Sequence, residues 1–255
     1  MDNFKRWHDS LGEVTFYNEE MNISFNQCDK NHKLSFAEIL RISSDVAGND
    51  YDRLGLTWKR FNDLKAVFVV SRVSFRFHKF PKATQNIRVK TWTETSLPLQ
   101  FVRMYDFYDA QSSELLISGI SHWLYVNTET KRIIKTKDFT ERKIAEYQTE
   151  HKAFEPGKIA IPNDMKFLCE RPIYFSDIDA NGHANNSRYG AFVIDSLPEE
   201  FQNKEFTDFK LNFSKETKQN QILKIYGKFD TENKKITISA KQDENICFES
   251  ELYYK

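Results

Sequence analysis

Four side chains in the last third of the sequence could act together as a general acid–base site. Asp179, Asn181 and His183 occupy alternate positions of one polar stretch, and Glu216 follows in a strand-like segment. A carboxylate that takes a proton from water, an amide and an imidazole that orient that water, and a second carboxylate that fixes the imidazole suit attack of water on a carbonyl group. We therefore predict that these four residues meet in one pocket.

Each residue also has a purely structural explanation. Asp179 and Asn181 are common turn residues because their side chains hydrogen-bond to their own backbone. Asn186 suits the start of the helix that follows. Alone, His183 fits a loop histidine and Glu216 a solvated carboxylate. The hypothesis of a catalytic site therefore depends on their occurrence together.

The composition limits the class of protein. The chain has 255 residues, enough for one large domain or two ordinary modules, and 22 Phe and 11 Tyr supply bulky core material. Lysine plus arginine balance aspartate plus glutamate at 37 each, which argues against a general nucleic-acid binder. No apolar run approaches the roughly 20 residues of a membrane helix. Three widely spaced cysteines fit a reducing compartment, so we expect a cytoplasmic protein with no membrane segment, metal or cofactor.

Hydrophobic periodicity predicts two similar halves, each with a strand, a polar loop, a helix and four further strands. Helices are predicted at residues 35–55 and 186–197, and strands at 14–25, 66–78, 86–93, 101–108, 115–126, 166–175, 208–213, 223–229, 235–240 and 247–254. Residues 1–11 read as a short arm and residues 131–165 as a polar linker. The fold class is therefore α+β, with two copies of one module.

The same residues resemble a known family, the acyl-acyl carrier protein (ACP) thioesterases, over nearly the whole chain. Residues 179–186 are similar to the family's Asp-x-Asn-x-His-x-Asn-Asn signature. The landmarks of the first half are Ser71, Arg72, Arg76, His78, Pro81, Trp92 and Trp123. The resemblance implies a tandem (double) hotdog fold, in which two antiparallel sheets each wrap around one long helix. An N-terminal hotdog at 1–130 would bind the acyl chain, and a C-terminal hotdog at 166–255 would be catalytic.

The resemblance also implies a reaction, the hydrolysis of fatty acyl-ACP thioesters in fatty acid biosynthesis. Glu216 would activate water as the base, or attack the thioester directly, while Asp179, Asn181 and His183 would position the reacting groups. Many plant members carry a cysteine after this glutamate. This chain has Thr217 there, which favours a carboxylate mechanism.

Residues that would contact the substrate and the carrier follow from the same resemblance. Phe36, Ile39 and Leu40 would line the acyl tunnel, with plain core positions as an equally weighted alternative, and Asn186 would bind near the thioester. ACP is a small acidic partner, so basic side chains are expected to steer it. The candidates are Arg76, His78, Lys79, Lys82, Arg88, Lys90, Lys131, Arg132 and Lys135.

The first half contains a similar but shifted set, Asp29, Asn31 and His32, without a matching glutamate. We interpret it as the non-catalytic copy. Three other functions stay open: a hotdog thioesterase acting on acyl-CoA, a non-catalytic acyl-binding module and, ranked last, a hotdog hydratase, whose loop proline is replaced here by Gly182. Acyl chain length and the choice between monomer and homodimer are also open.

Overall fold

The computed structural model describes residues 5–94, 96–142, 144, 147–148 and 152–255. It consists mainly of antiparallel strands with few helices. The strands are β1 Arg6–Leu11, β2 Val14–Asn22, β3 Ala66–Phe77, β4 Asn86–Thr93, β5 Phe101–Asp109, β6 Leu115–Asn127, β7 Ile133–Ile134, β8 Lys166–Pro172, β9 Phe206–Phe213, β10 Ile222–Asp230, β11 Lys235–Gln242 and β12 Asn245–Tyr254. The helices are α1 Phe36–Arg53, α2 Trp58–Asp63, α3 Arg188–Asp195 and α4 Glu199–Gln202.

The strands form one continuous sheet. Their order is β1-β2-β4-β5-β6-β3-β9-β12-β11-β10-β8, and β7 pairs with β6. The expectation of two sheets is therefore wrong, because the half-sheets join edge to edge through β3 and β9. At this junction Arg76 lies opposite Asp208, with 2.7 Å between Nε and Oδ1. The pairing satisfies backbone groups that two free edges would leave open.

Helix α1 begins where the sequence predicts. The Ser35 hydroxyl accepts a hydrogen bond from the Glu38 N–H at 3.4 Å, as an N-cap does. The helix then buries a stripe of side chains in the main core, together with inward-facing residues of the strands. The buried positions of α1 are Ile39, Leu40, Ile42, Ser43, Val46, Ala47 and Asp50. Their recurrence every three or four residues is the pattern from which the helix was predicted.

The second half lacks a comparably long helix, contrary to the expectation of one for each half. Helix α3 has eight residues, against 18 in α1. It starts late because the Asn185 side chain accepts hydrogen bonds from the N–H and hydroxyl of Ser187, which holds this segment in a turn. It ends at Asp195, and Pro198 follows soon after. The two helices therefore cover the sheet unequally.

The helices of the two halves meet at Gly190. A Cβ built there would lie 2.8 Å from the Phe36 carbonyl carbon and 2.8 Å from the Ala37 nitrogen. Because both are backbone atoms, neither can move without shifting α1. We expect Gly190→Ala to lower the free energy of unfolding by about 1–3 kcal/mol, the usual range for overpacking. Urea unfolding at equilibrium measures this change.

Gly48→Ala in α1 is the matched control, because nothing lies within 4 Å of the point that a Cβ would occupy there. Alanine is favoured over glycine inside a helix, so this variant should be as stable as the wild type or more stable. A Gly190→Ala protein that unfolds at the wild-type urea concentration would contradict the close approach of the two helices.

Two segments outside the predicted elements are also ordered. The predicted N-terminal arm is partly a strand, since β1 pairs with β2 along its length. The end of the predicted linker lies against the β3–β9 junction, where the Asn212 amide donates to the Gly157 carbonyl oxygen at 3.0 Å. The sequence allows at most one short helix in this linker, near residues 139–147, and that stretch lies partly outside the described residues. No helix in the described ranges has the length and apolar character needed to cross a membrane.

Candidate active site

The loop before α3 is a tight polar turn built by Asp179. Its carboxylate accepts the Asn181 N–H at 2.8 Å, and its carbonyl oxygen accepts the Gly182 N–H at 3.0 Å. The Asp179 N–H donates to the His183 carbonyl oxygen at 2.9 Å, which closes the turn. Gly182 has a φ of +80°, a conformation that glycine adopts without strain. The turn therefore fixes the backbone from which the His183 side chain projects.

A second loop, after β9, carries Glu216. The N–H groups of Ser214 and Lys215 both donate to the Cys247 carbonyl oxygen, at 2.9 and 3.1 Å. One further backbone hydrogen bond joins the two loops, from the Ala184 N–H to the Thr217 carbonyl oxygen at 2.8 Å. Neighbours of His183 and Glu216 are therefore bonded directly to each other. This contact brings together two residues that are distant in the sequence.

His183 and Glu216 are in contact through their side chains. Nε2 of His183 lies 3.1 Å from Oε2 of Glu216. The imidazole is 28% exposed and the carboxylate 63% exposed, so water reaches both. Such a pair can take a proton from a bound water and hold it near the imidazole. Among the described residues, no group of three or more His, Cys, Asp or Glu side chains converges as a metal site requires.

The other two predicted site residues have different surroundings. The Asp179 carboxylate supports its own turn, and the Asn181 side chain is exposed. Within the described residues, neither side chain is in hydrogen-bond contact with His183 or Glu216. The structure therefore brings two of the four residues together and places the other two on the adjoining turn.

Asn186 connects the two loops to the interior. It lines a narrow cavity of about 10 Å³ that is otherwise mainly apolar. Leu40 lines the same cavity, whereas Phe36 packs against four other phenylalanines and Ile39 lies in the main core. The remaining lining residues are Ser43, Ser44, Val70, Val73, Phe75, Tyr105, Ser121, Trp123 and Phe213. Residues of both halves therefore line this cavity.

The first half contains the same pair of loops, held by most of the same hydrogen bonds. Asp29 closes its turn with the carbonyl oxygen of Lys33, and the Asn31 N–H donates to the Asp29 carboxylate, both at 2.8 Å. Lys33 therefore occupies the position of His183, and His32, with a φ of +59°, occupies that of Gly182. The second loop repeats too, since the Leu34 N–H donates to the Pro81 carbonyl oxygen at 2.8 Å.

The repeat places Phe80 where the second half has Glu216. The N–H groups of His78 and Lys79 both donate to the Leu116 carbonyl oxygen, as those of Ser214 and Lys215 do to Cys247. In place of the histidine–carboxylate contact, Lys33 Nζ lies 5.5 Å from the centroid of the Phe80 ring. The first copy therefore has the same backbone and lacks the acid–base pair.

Two models of one protein family match the sequence, one in each half of the chain. The family model described as "Acyl-ACP thioesterase N-terminal domain" matches residues 14–144, and "Acyl-ACP thioesterase C-terminal domain" matches residues 163–251. Together they cover most of the chain. The chain belongs to the acyl-ACP thioesterase family. Members of this family are thioester hydrolases.

Individual relatives are distant. An acyl-[acyl-carrier-protein] hydrolase from chloroplasts of Cuphea viscosissima is 26% identical over 64% of this chain and 41% of its own length. The chloroplastic oleoyl-acyl carrier protein thioesterase 2 of Arabidopsis thaliana is 22% identical over 90% of this chain and 70% of its own length. This chain therefore spans less than half of the first relative.

A solved structure gives the fold. An acyl-ACP thioesterase from Bacteroides thetaiotaomicron has a TM-score of 0.85 with 20% sequence identity, over 94% of this chain and 98% of its own. The likeness shows a hotdog-type fold with a large antiparallel sheet. The roles of individual side chains follow from the geometry of this chain.

Thr217 and Tyr189 support the Glu216 loop in a way that the sequence did not predict. The Thr217 side chain is buried, and its hydroxyl lies 2.9 Å from the Tyr189 hydroxyl, on α3. Burial raises the pKa of Tyr189 to about 12, so the phenol stays protonated at neutral pH. The pair therefore links the loop to α3 beside the backbone bond of Ala184.

Many of the basic side chains predicted to steer ACP make contacts with other residues of the protein. Arg76 pairs with Asp208 and Lys79 with Glu114, while Arg88 and Lys90 lie over the rings of Tyr108 and Phe16. The His78 ring is 3.2 Å from the Ser118 hydroxyl. In the part of the chain that the structure describes, the side chains of four candidates form neither an ion pair nor a ring contact: Lys82, Lys131, Arg132 and Lys135.

Proposed function

We propose that this chain hydrolyses fatty acyl-ACP thioesters to free fatty acid and ACP. The observation that carries the proposal is the 3.1 Å contact between the side chains of His183 and Glu216. Asn186 lies three residues after His183 and Phe213 three residues before Glu216, and both line that cavity. Each residue of the acid–base pair is therefore three positions from a residue that lines the cavity.

In the proposed mechanism Glu216 is the general base. Its carboxylate takes a proton from a water whose oxygen attacks the thioester carbonyl carbon. The tetrahedral intermediate then collapses and the carbon–sulfur bond breaks. The leaving sulfur takes the proton that Glu216 held and departs as a thiol. His183 orients Glu216 and the water, Asp179 fixes the turn, and the exposed Asn181 amide contacts the incoming thioester. Direct attack by the Glu216 carboxylate is the second route.

Asn186 supplies the donors for the oxyanion. The N–H groups of its neighbours Asn185 and Ser187 are both used in loop hydrogen bonds, to the Asp177 carbonyl oxygen and the Asn185 side chain. Among the described residues, by contrast, the Asn186 N–H and side-chain amide have no hydrogen-bond acceptor. A free backbone donor at a helix start stabilises a developing negative charge. The thioester oxygen would therefore point to Asn186.

The acyl chain would enter the first half of the molecule. Most residues that line the cavity belong to this half, while the reacting pair belongs to the second. This supports a double hotdog in which residues 1–130 bind the chain, 131–165 link, and 166–255 catalyse. A cavity of about 10 Å³ holds at most one water molecule. Leu40 and its neighbours must therefore move apart when an acyl chain binds, and Phe36 and Ile39 would support that wall.

The compartment that we propose is the cytoplasm. All three cysteines, Cys28, Cys169 and Cys247, are free thiols, and burial raises the pKa of each. Unreactive free thiols fit a reducing environment.

The test is thiol release from matched series of acyl-ACP and acyl-CoA substrates of increasing chain length. We expect turnover of acyl-ACP within the ordinary enzyme range of about 1–10³ s⁻¹. Thiol release from acyl-CoA and none from acyl-ACP would identify the chain as an acyl-CoA thioesterase instead. Bound acyl-ACP that survives incubation intact would identify a non-catalytic acyl-binding module.

A further inference from the structure

The loop that carries His183 is held by a buried carboxylate, Asp177, whose side chain is 0% exposed. Arg171 donates from Nη2 to both carboxylate oxygens, at 3.2 and 3.1 Å. Arg188 donates from Nε at 2.9 Å, and the Tyr174 N–H donates at 3.0 Å. Two guanidinium groups and one backbone donor thus satisfy this buried charge.

The partners of Asp177 lie on three different elements. Arg171 is near the end of β8, Tyr174 precedes the loop, and Arg188 is the first residue of α3. The backbone of Asp177 contributes as well, because its carbonyl oxygen accepts the Asn185 N–H at 2.8 Å. One residue therefore fixes both ends of the segment on which His183 sits.

Arg171 is itself held in place. Its Nη1 donates to the Pro172 carbonyl oxygen at 2.8 Å, and its guanidinium lies 4.6 Å from the centroid of the Phe192 ring in α3. Planar guanidinium groups stack on rings and bind carboxylates through paired donors, which makes such contacts directional. The ionic cluster thus sets the position of α3 relative to β8.

The first half shows that the loop can form without this cluster. There Gln27 occupies the position of Asp177, accepts the Ser24 N–H at 2.8 Å and donates to Glu38 at 2.9 Å. Glu38 is the counterpart of Arg188, and Met21 is the counterpart of Arg171. Most of the backbone bonds are the same in both copies. The ionic cluster therefore accompanies the His183–Glu216 pair and is not required by the turn.

We propose that Asp177, with Arg171 and Arg188, is a positioning residue that fixes His183 against Glu216. The inference rests on the proposed thioesterase function. Because the pair is exposed to solvent, few contacts other than the loop itself hold His183 in place. A displacement of about 1 Å in a reacting group can lower a rate on the order of a hundredfold. Loosening this loop should therefore lower kcat more than it raises KM.

The experiment compares Asp177→Asn, Arg188→Gln and the matched control Gln27→Ala with the wild type. Thiol release from acyl-ACP gives kcat, KM and the pH profile, and thermal unfolding gives Tm. We expect Asp177→Asn and Arg188→Gln to lower kcat by about tenfold or more, with KM changed less than about twofold and an altered pH profile. Gln27→Ala should lose Tm and keep the wild-type kcat.

Full kcat in a folded Asp177→Asn or Arg188→Gln protein would overturn the inference, as would an equal loss of kcat in Gln27→Ala. Because the Arg188 side chain is 40% exposed, that variant is expected to fold, and it decides the question alone if Asp177→Asn does not fold. A wild type that releases no thiol would instead reject the proposed function. The two failures are therefore distinguishable.

Discussion

Glu216→Gln should lower kcat for acyl-ACP hydrolysis by about 10²–10⁴-fold, the usual contribution of a general base. The amide has nearly the same shape as the carboxylate and can stay close to His183, but it cannot accept the proton from water. The side chain is 63% exposed, so the variant should fold with an unchanged Tm. Steady-state thiol release and thermal unfolding measure the two effects.

The internal repeat supplies a control for this variant. Lys33→Gln changes the residue that holds the position of His183 in the first half, where Phe80 replaces the glutamate. We expect this variant to keep the wild-type kcat, because no acid–base pair is present there. Near-normal turnover by Glu216→Gln would remove Glu216 from the mechanism.

Asp50→Leu should lower the free energy of unfolding by about 3–5 kcal/mol, the usual cost of leaving a buried charge without its partner. Asp50 and Arg103 are each 2% exposed and lie 2.9 Å apart. The guanidinium of Arg103 also sits 4.8 Å from the centroid of the Tyr51 ring. Without Asp50, a cation remains in the core between α1 and β5. Urea unfolding gives the difference.

The double variant Asp50→Leu, Arg103→Met is the control for this pair. It removes the two fully buried charges, while Arg142 and His8, which also contact Asp50, have partly exposed side chains that water can reach, so it should recover most of the lost stability. A double variant that is less stable than Asp50→Leu alone would contradict this account. Asp50 and Arg103 make no hydrogen bond or ion pair with His183 or Glu216 among the described residues, so folded variants should keep the wild-type kcat.

The same pair gives stability a defined pH dependence. Burial alone would raise the pKa of Asp50, but Arg103 and Arg142 more than offset this and hold it below its ordinary value. The stability that ionised Asp50 contributes to the folded state is therefore complete above its unfolded-state pKa of about 3.9. It is lost as the pH falls through the lower folded-state pKa.

The sequence predicted most elements that have a regular apolar pattern. Strand β4 was predicted to the residue at 86–93, and the start of α1 followed from Ser35. Strand β1 was missed because residues 6–11 have no apolar alternation; it is held instead by pairing with β2 and by the contact of His8 with Asp50 at 3.0 Å. Helix α3 was predicted to end at residue 197 and ends at Asp195, because an apolar pattern in the sequence does not show where a helix stops packing against its neighbours.

The candidate site was predictable in its residue types and not in its geometry. The sequence singled out His183 and Glu216, but only the folded chain shows that their side chains touch, next to the backbone bond from Ala184 to Thr217. The importance of Asp177 could not be predicted, because Arg171 and Arg188 converge on it only in the folded chain. The sequence shows little of the loop repeat either, because the two copies share backbone hydrogen bonds and few identical residues.

The most direct measurement is kcat/KM for acyl-ACP in the wild type, His183→Ala, Glu216→Gln and the double variant. Residues that act as one unit lose most of their effect when either is removed. We predict that the double variant is about as slow as the slower single variant. Losses that multiply in the double variant, or a wild-type rate in either single variant, would contradict the claim that His183 and Glu216 together hydrolyse the thioester.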